Sequence, residues 1–258
     1  MTSALLWTQR GIALALLLQT VELLQLRRRF ADDGVWSWPI LRREQLALPA
    51  LLRWLLDWAM PYRAFVALLV ARLACCIALL GDLPYVLPIL LFSQIAICVR
   101  CRGTFNGGSD YMSVQVLLAL NAALWPPLQR AALLYIAVQS VLSYFNAGVV
   151  KLKEPSWRDG SALLALLRAR AAPVAQQLAA ALATPLRRRI AARGVIALEA
   201  CAAPLALIDP RLCAGFLALG LGFHTLNAYV FGLNRFLFAW AATYPALFFC
   251  SELLGAST

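Results

Sequence analysis

A mainly apolar run extends from Ala4 to Leu26, and seven further runs follow near 64–81, 83–99, 111–125, 131–150, 192–208, 212–232 and 236–253. Runs of this length fit one environment well. The hydrocarbon core of a bilayer is about 30 Å thick, and about 20 helical residues cross it. Inside it each backbone N–H and C=O must find its partner within the chain, which an α-helix provides. With 62% of the 258 residues hydrophobic and 14% charged, a soluble domain of this size could not cover so much apolar surface. The expected fold is therefore all-α: a polytopic membrane helical bundle of about eight transmembrane helices, forming one domain over 1–258. The fourth run is short and the sixth contains Pro204. The first run is too long for a secretory signal and has no small-residue cleavage site after it, so it reads as a span.

Charge follows the same punctuation. Arg27, Arg28, Arg29, Arg42, Arg43, Arg53 and Arg63 lie between the first two runs, and Lys151, Lys153, Arg158, Arg168, Arg170, Arg187, Arg188 and Arg189 lie between the fifth and sixth, with Arg193 at the start of the sixth. Alternate turns, such as Gly81–Asp82, are poor in Lys and Arg. This alternation predicts cytoplasmic basic loops and both termini outside. The net charge of +11 is thus assigned to membrane borders and anionic headgroups, with no nucleic-acid partner expected. The Ala, Leu and Arg bias suggests a bacterial protein, hence an inner (cell) membrane location. Two inter-span stretches stand out. One holds Trp36 and Trp38 beside an Asp32-Asp33-Gly34 turn, and Trp there suits the membrane interface. The other, Trp157 to Arg189, has Leu and Ala at helical spacing and reads as one amphipathic segment lying on or partly in the membrane.

Polar residues inside apolar runs are costly and by default paired or functional. Lys151 ends the run Y-F-N-A-G-V-V-K, where Tyr144, Asn146 and Gly148 also interrupt lipid-like sequence. On a helix Lys151 shares a face with Gly148, Ala147, Tyr144 and Ser140. In an apolar pocket a free amine is favoured over the ammonium and can act as a general base, whereas a helix C-terminus favours the cation. A lysine snorkelling to the interface is the alternative reading. His224, the one histidine, lies in G-F-H-T-L-N with Asn227 three residues on; it can hold a polar ligand or bond a neighbouring helix. Arg72 is expected to pair with Glu22 or Glu199. Asn106-Gly107-Gly108 permits close backbone approach to a ligand, followed by Ser109 as a helix N-cap with Asp110 in the first turn. Cys98 and Cys101 form C-V-R-C, a redox pair or an inert one; no metal site is expected from the seven scattered Cys and one His.

N-G-G-S-D-Y (106–111), then Y-F-N-A-G-V-V-K-L-K-E-P-S-W-R-D-G (144–160), then a Glu-bearing run, then F-H-T-L-N-A-Y-V-F-G-L-N-R-F (223–236) together resemble the HTTM family, membrane domains similar to vitamin K-dependent gamma-carboxylase. The best-known member of that family uses a lysine in the motif resembling A-G-V-V-K-L to deprotonate a reduced vitamin K hydroquinone. The resemblance implies Lys151 as the catalytic base, with His224 and Asn227 lining the same cavity, and a membrane quinone or hydroquinone as cofactor without a metal; Tyr144, Asn146, Glu199 and Asn106 are the further substrate-binding candidates read from the residues themselves. Two departures stand beside it. The carboxylase has a histidine in its counterpart of N-G-G-S, where this chain has Gly108. It also carries a large extra-membrane domain for its peptide substrate, so peptide carboxylation is not carried over. The two functional expectations are a quinol-dependent, carboxylase-like membrane enzyme, and a non-catalytic anchoring or maturation partner of another membrane or peptide protein. The bilayer is the expected environment in both.

Overall fold

A computed structural model describes residues 1–45, 47–102 and 107–255 of the chain. It is helical, with no β-strand among the described residues. The chain divides into two compact units, Thr2–Ala132 and Leu133–Thr258.

The first unit contains α1 (Thr2–Gln25), short α2 (Trp38–Leu41), α3 (Ala50–Ala59), α4 (Tyr62–Leu80), α5 (Leu87–Cys101) and α6 (Gly107–Ala122). Helix α1 packs on α4 and α6, and α5 packs on α4 and α6. Two buried arginines organise this unit. The Arg72 guanidinium donates to four neutral oxygens: Thr20 Oγ1 at 2.9 Å, Ser93 Oγ at 2.7 Å, Gln19 Oε1 at 2.6 Å and Gln94 Oε1 at 2.5 Å. Gln19 passes the network to the Asp110 carboxylate at 2.6 Å. Of the two carboxylates expected to pair with Arg72, Glu22 and Glu199, the latter is held by Lys151. Arg100, on α5, donates to the carbonyls of Met60 and of Phe30, the latter at 2.6 Å, and its guanidinium lies 5.1 Å from the Phe65 ring centre. These are carbonyls at the ends of a helix and a 3-10 turn, where no intrahelical donor remains. Arg100 therefore ties both ends of the 31–59 connection to α5.

That connection corrects one expectation. Trp38 is buried, and Trp36 stacks on Phe30 at 5.2 Å. Within this connection the exposed tryptophans are Trp54 and Trp58 of α3. The Asp-Asp-Gly turn forms as read, with Gly34 N–H donating to Ala31 at 2.9 Å. Helix α6 starts at Gly107, so Ser109 lies inside its first turn rather than at a cap.

The second unit begins within α7 (Gln129–Lys153) and continues through α8 (Pro155–Arg158), α9 (Ser161–Arg168), α10 (Pro173–Ala181), α11 (Pro185–Ala197), a π-turn (Leu198–Ala202), α12 (Ala203–Leu205), α13 (Pro210–Phe231), α14 (Asn234–Ala241) and α15 (Tyr244–Gly255). The 158–189 stretch is not one amphipathic helix. Gly160 in a left-handed conformation (φ 81°) and prolines at the starts of α10 and α11 break it into short helices. A side chain at 160 would run into the Arg188 carbonyl. The apolar faces of α9 and α10 turn toward each other and bury Leu164, Leu167, Ala175 and Ala179 with Val230 of α13.

Among the described residues, six helical stretches are long and apolar enough to cross a bilayer: Thr2–Gln25, Tyr62–Leu80, Pro84–Cys101, Pro126–Lys153, Pro210–Phe231 and Asn234–Gly255. The other two expected runs are shorter as helices. Helix α6 has 16 residues, roughly 24 Å at 1.5 Å each. The run near 192–208 is interrupted by the π-turn and Pro204. The chain is thus an all-α membrane helical bundle, with six full-length helices among the described residues where eight were expected.

Candidate functional site

The C-terminal half of α7 presents Ser140, Tyr144, Gly148 and Lys151 along one side, as helical spacing requires. What Lys151 meets there depends on a local irregularity. Pro204 has no N–H to donate, so it cannot return a bond to the carbonyl of Ala200, and the helix widens to a π-turn over Leu198–Ala202. Glu199 sits in that turn. Gly148 lets the turn come against α7: a Cβ on residue 148 would lie 2.5 Å from the Ala200 nitrogen and 2.9 Å from its Cα. Through this near backbone contact the Lys151 ammonium reaches Glu199 Oε2 at 2.6 Å. The side chains are 19% and 6% exposed, so the pair is largely withdrawn from water. The Trp157 ring, brought back by the Pro155 restart, lies 5.2 Å from Lys151 Nζ and adds a cation–π contact.

A second polar cluster lies one to two turns earlier. The Tyr144 hydroxyl shares hydrogen bonds with His224 Nε2 at 2.6 Å and the Tyr244 hydroxyl at 3.1 Å. Gly220 makes room for them, since a Cβ there would lie 2.6 Å from the Tyr244 hydroxyl. Trp240 packs against His224 at 5.5 Å, stacks on Phe236 at 5.0 Å and donates its indole N–H to Ser143 at 3.1 Å.

Lys151, Glu199, Trp157, Tyr144, His224 and Trp240 line one cavity of about 600 Å³ inside the second unit. Its polar wall includes Lys151, Glu199, Tyr144, His224 and Asn227, with Ser143 and Arg170 also lining it; leucines of α9 and α10 with Phe223, Phe231 and Phe236 make most of the rest apolar. The structure brings together five of the seven residues expected from sequence. Asn146 is exposed and does not line the cavity. Asn106 lies outside the described residues. Asn227 has no side-chain hydrogen-bond partner among the described residues, so its amide is available to a ligand. Sequence reasoning missed Trp157, Trp240 and Arg170, whose guanidinium lies 5.7 Å from the Phe231 ring. Only the Pro155 restart hinted at Trp157. Among the described residues no group of three His, Cys, Asp or Glu side chains comes together as a metal site.

The chemistry available follows from the proton count. A neutral Lys151–Glu199 pair holds one fewer proton than its two groups can carry, so it can take one from an acidic hydroxyl brought against it. The apolar walls exclude water and suit a flat ring.

A family model, the HTTM domain, matches residues 104–252, a stretch that contains all of the cavity's lining residues. No curated protein and no solved structure matches the chain. The matched stretch is more than half of the 258 residues: the chain belongs to the HTTM domain family.

Proposed function

We propose that this HTTM-family protein is a membrane enzyme that binds a lipophilic quinol in the second unit's cavity and removes its hydroxyl proton with the Lys151–Glu199 pair. One observation carries this reading: a buried ion pair, 2.6 Å long, in the wall of a cavity that is otherwise mostly apolar. A lysine snorkelling to headgroups would have no buried carboxylate and no cavity beside it. The pair accepts one proton and then holds both, an ammonium and a carboxylic acid. Asn227 supplies an unengaged amide for a ring oxygen, and Phe236, Trp240 and Trp157 supply faces for the ring. The cavity is large enough for a ring with part of an isoprenoid tail. The reading includes a bacterial inner membrane, as the composition suggests.

Native mass spectrometry with lipid extraction tests it, on wild type and on Lys151→Met/Glu199→Gln. The double variant leaves no buried charge unpaired, so it separates loss of the site from loss of the fold. A quinone retained by wild type and lost by the variant is the expected result. No quinone in either protein overturns the proposal and favours an anchoring or maturation partner, docked on the exposed Arg187, Arg189 and Arg193 of α11.

A further inference from the structure

The connection between α1 and α4 belongs to the first unit and takes no part in the cavity. It begins and ends at spanning helices, so it lies at one face of the membrane. It is also a built object: Arg100 pins both ends, and Phe30, Trp38, Leu41, Leu56 and Met60 form its buried side. Its other side is apolar and uncovered. On α3, Leu51, Trp54 and Trp58 are 72%, 64% and 70% exposed, at spacings of three and four that make one stripe. Beside this stripe lies a pocket of about 210 Å³ lined by Arg42, Gln45, Arg53, Trp38 and Asp57 among others. Arg42 gives Nε and Nη2 to Asp57, at 2.6 and 2.8 Å. The Arg53 guanidinium makes no side-chain hydrogen bond among the described residues, and its charge acts on the nearby Asp57 carboxylate. From Arg27 to Arg63 the sequence carries seven Arg against Asp32, Asp33, Glu44 and Asp57, an excess of positive charge.

We propose that this connection is a binding plate for one anionic phospholipid. Leu51, Trp54 and Trp58 sit at the boundary of acyl chains and headgroups, and the lipid phosphate lies in the pocket against Arg53 and the remaining Nη1 of Arg42. The bilayer is the occupant that the surface specifies. Tryptophan is the side chain suited to that boundary, an outward apolar stripe beside cations is the pattern of an interfacial helix, and the excess charge complements anionic headgroups. The phosphate site is more specific than general attraction. Among the exposed arginines of the connection, Arg42 is fixed in direction by a bidentate pair, and Arg53 faces the same small pocket.

The test is native mass spectrometry of the full chain titrated with phosphatidylglycerol and with phosphatidylcholine of identical acyl chains. Wild type is expected to retain a phosphatidylglycerol adduct under activation that strips phosphatidylcholine. Arg53→Gln leaves the Arg42–Asp57 pair intact and is expected to weaken that adduct about fivefold, the ~1 kcal/mol that one arginine contributes at an anionic surface. Arg187→Gln/Arg189→Gln, on the other unit, is expected to leave it unchanged. Equal retention of both lipids overturns the proposal. So does an undiminished phosphatidylglycerol adduct in Arg53→Gln, or its loss in the Arg187/Arg189 variant. In vesicles containing brominated phosphatidylglycerol, Trp54→Ser/Trp58→Ser is expected to lose much of the fluorescence quenching; unchanged quenching places those rings elsewhere and overturns the docking geometry.

Discussion

Replacing Gly148 with alanine tests how the proton-accepting pair is assembled. The new Cβ would lie 2.5 Å from the Ala200 nitrogen, and ordinary contact begins at about 3.4 Å. The atom it meets is backbone, which cannot swing aside, so α7 and the π-turn must part by roughly 0.9 Å. If the whole shift reaches the pair, Lys151 Nζ and Glu199 Oε2 move from 2.6 Å to about 3.5 Å. At an effective dielectric of 20 the attraction falls from ~6.4 to ~4.7 kcal/mol, a loss of ~1.6 kcal/mol. Overpacking adds about 1–3 kcal/mol, and the helix preference of alanine over glycine returns about 1 kcal/mol. The net expectation is destabilisation by about 2–4 kcal/mol. Gly194→Ala is the matched control, because nothing lies within 4 Å of a Cβ there. It should be neutral, or stabilising by up to about 1 kcal/mol. The assay is thermal unfolding in detergent, paired with mass-spectrometric measurement of acylation at Lys151. Labelling of Lys151 should rise in Gly148→Ala and not in Gly194→Ala. If both variants unfold alike and Lys151 labelling is unchanged in both, the close approach at Gly148 does not set the pair.

Lys151→Met alone leaves Glu199 charged and buried and should cost about 3–5 kcal/mol, whereas Lys151→Met/Glu199→Gln should recover most of it in the same unfolding assay. Tyr144→Phe removes the hydroxyl shared by His224 and Tyr244 and should cost about 1–3 kcal/mol, with a changed histidine tautomer visible in the ¹⁵N spectrum of His224. Arg100→Met releases the carbonyls of Met60 and Phe30, and hydrogen exchange should rise over residues 27–61 while α7 and α13 stay protected.

Much of the site was legible because it lies on one helix. A period of 3.6 residues was enough to group Ser140, Tyr144, Gly148 and Lys151, and to put His224 and Asn227 on a common face. The same rule could have excluded Asn146, which lies about 200° around the helix from Tyr144 and is exposed. The partner of Lys151 was not legible. Pro204 was visible in the sequence, but the π-turn that rotates Glu199 toward α7 depends on where the freed carbonyl and the Gly148 surface meet, which is a tertiary fact. The two tryptophan pairs of the α1–α4 connection show the same limit. Composition and position treat Trp36, Trp38, Trp54 and Trp58 alike, and the packing around the buried Arg100 draws the first pair inward, leaving α3 to carry the exposed one.

Buried charge by itself did not mark the candidate site, and comparing the two buried clusters shows what does. Arg72 is fully buried, and neutral amides and hydroxyls surround its guanidinium with a path to Asp110. Its bonds close on the protein, so the network fixes α1, α4, α5 and α6 to one another. The Lys151–Glu199 pair is bonded on one side only. Its other side is a cavity of about 600 Å³, with an unengaged amide at Asn227 and aromatic faces around it. Charge in a membrane interior has to be satisfied in either case. It becomes available for chemistry where the satisfying groups leave one side open to a space that a ligand can fill, and in this chain the glycine at 148 and the π-turn at 198–202 arrange that opening.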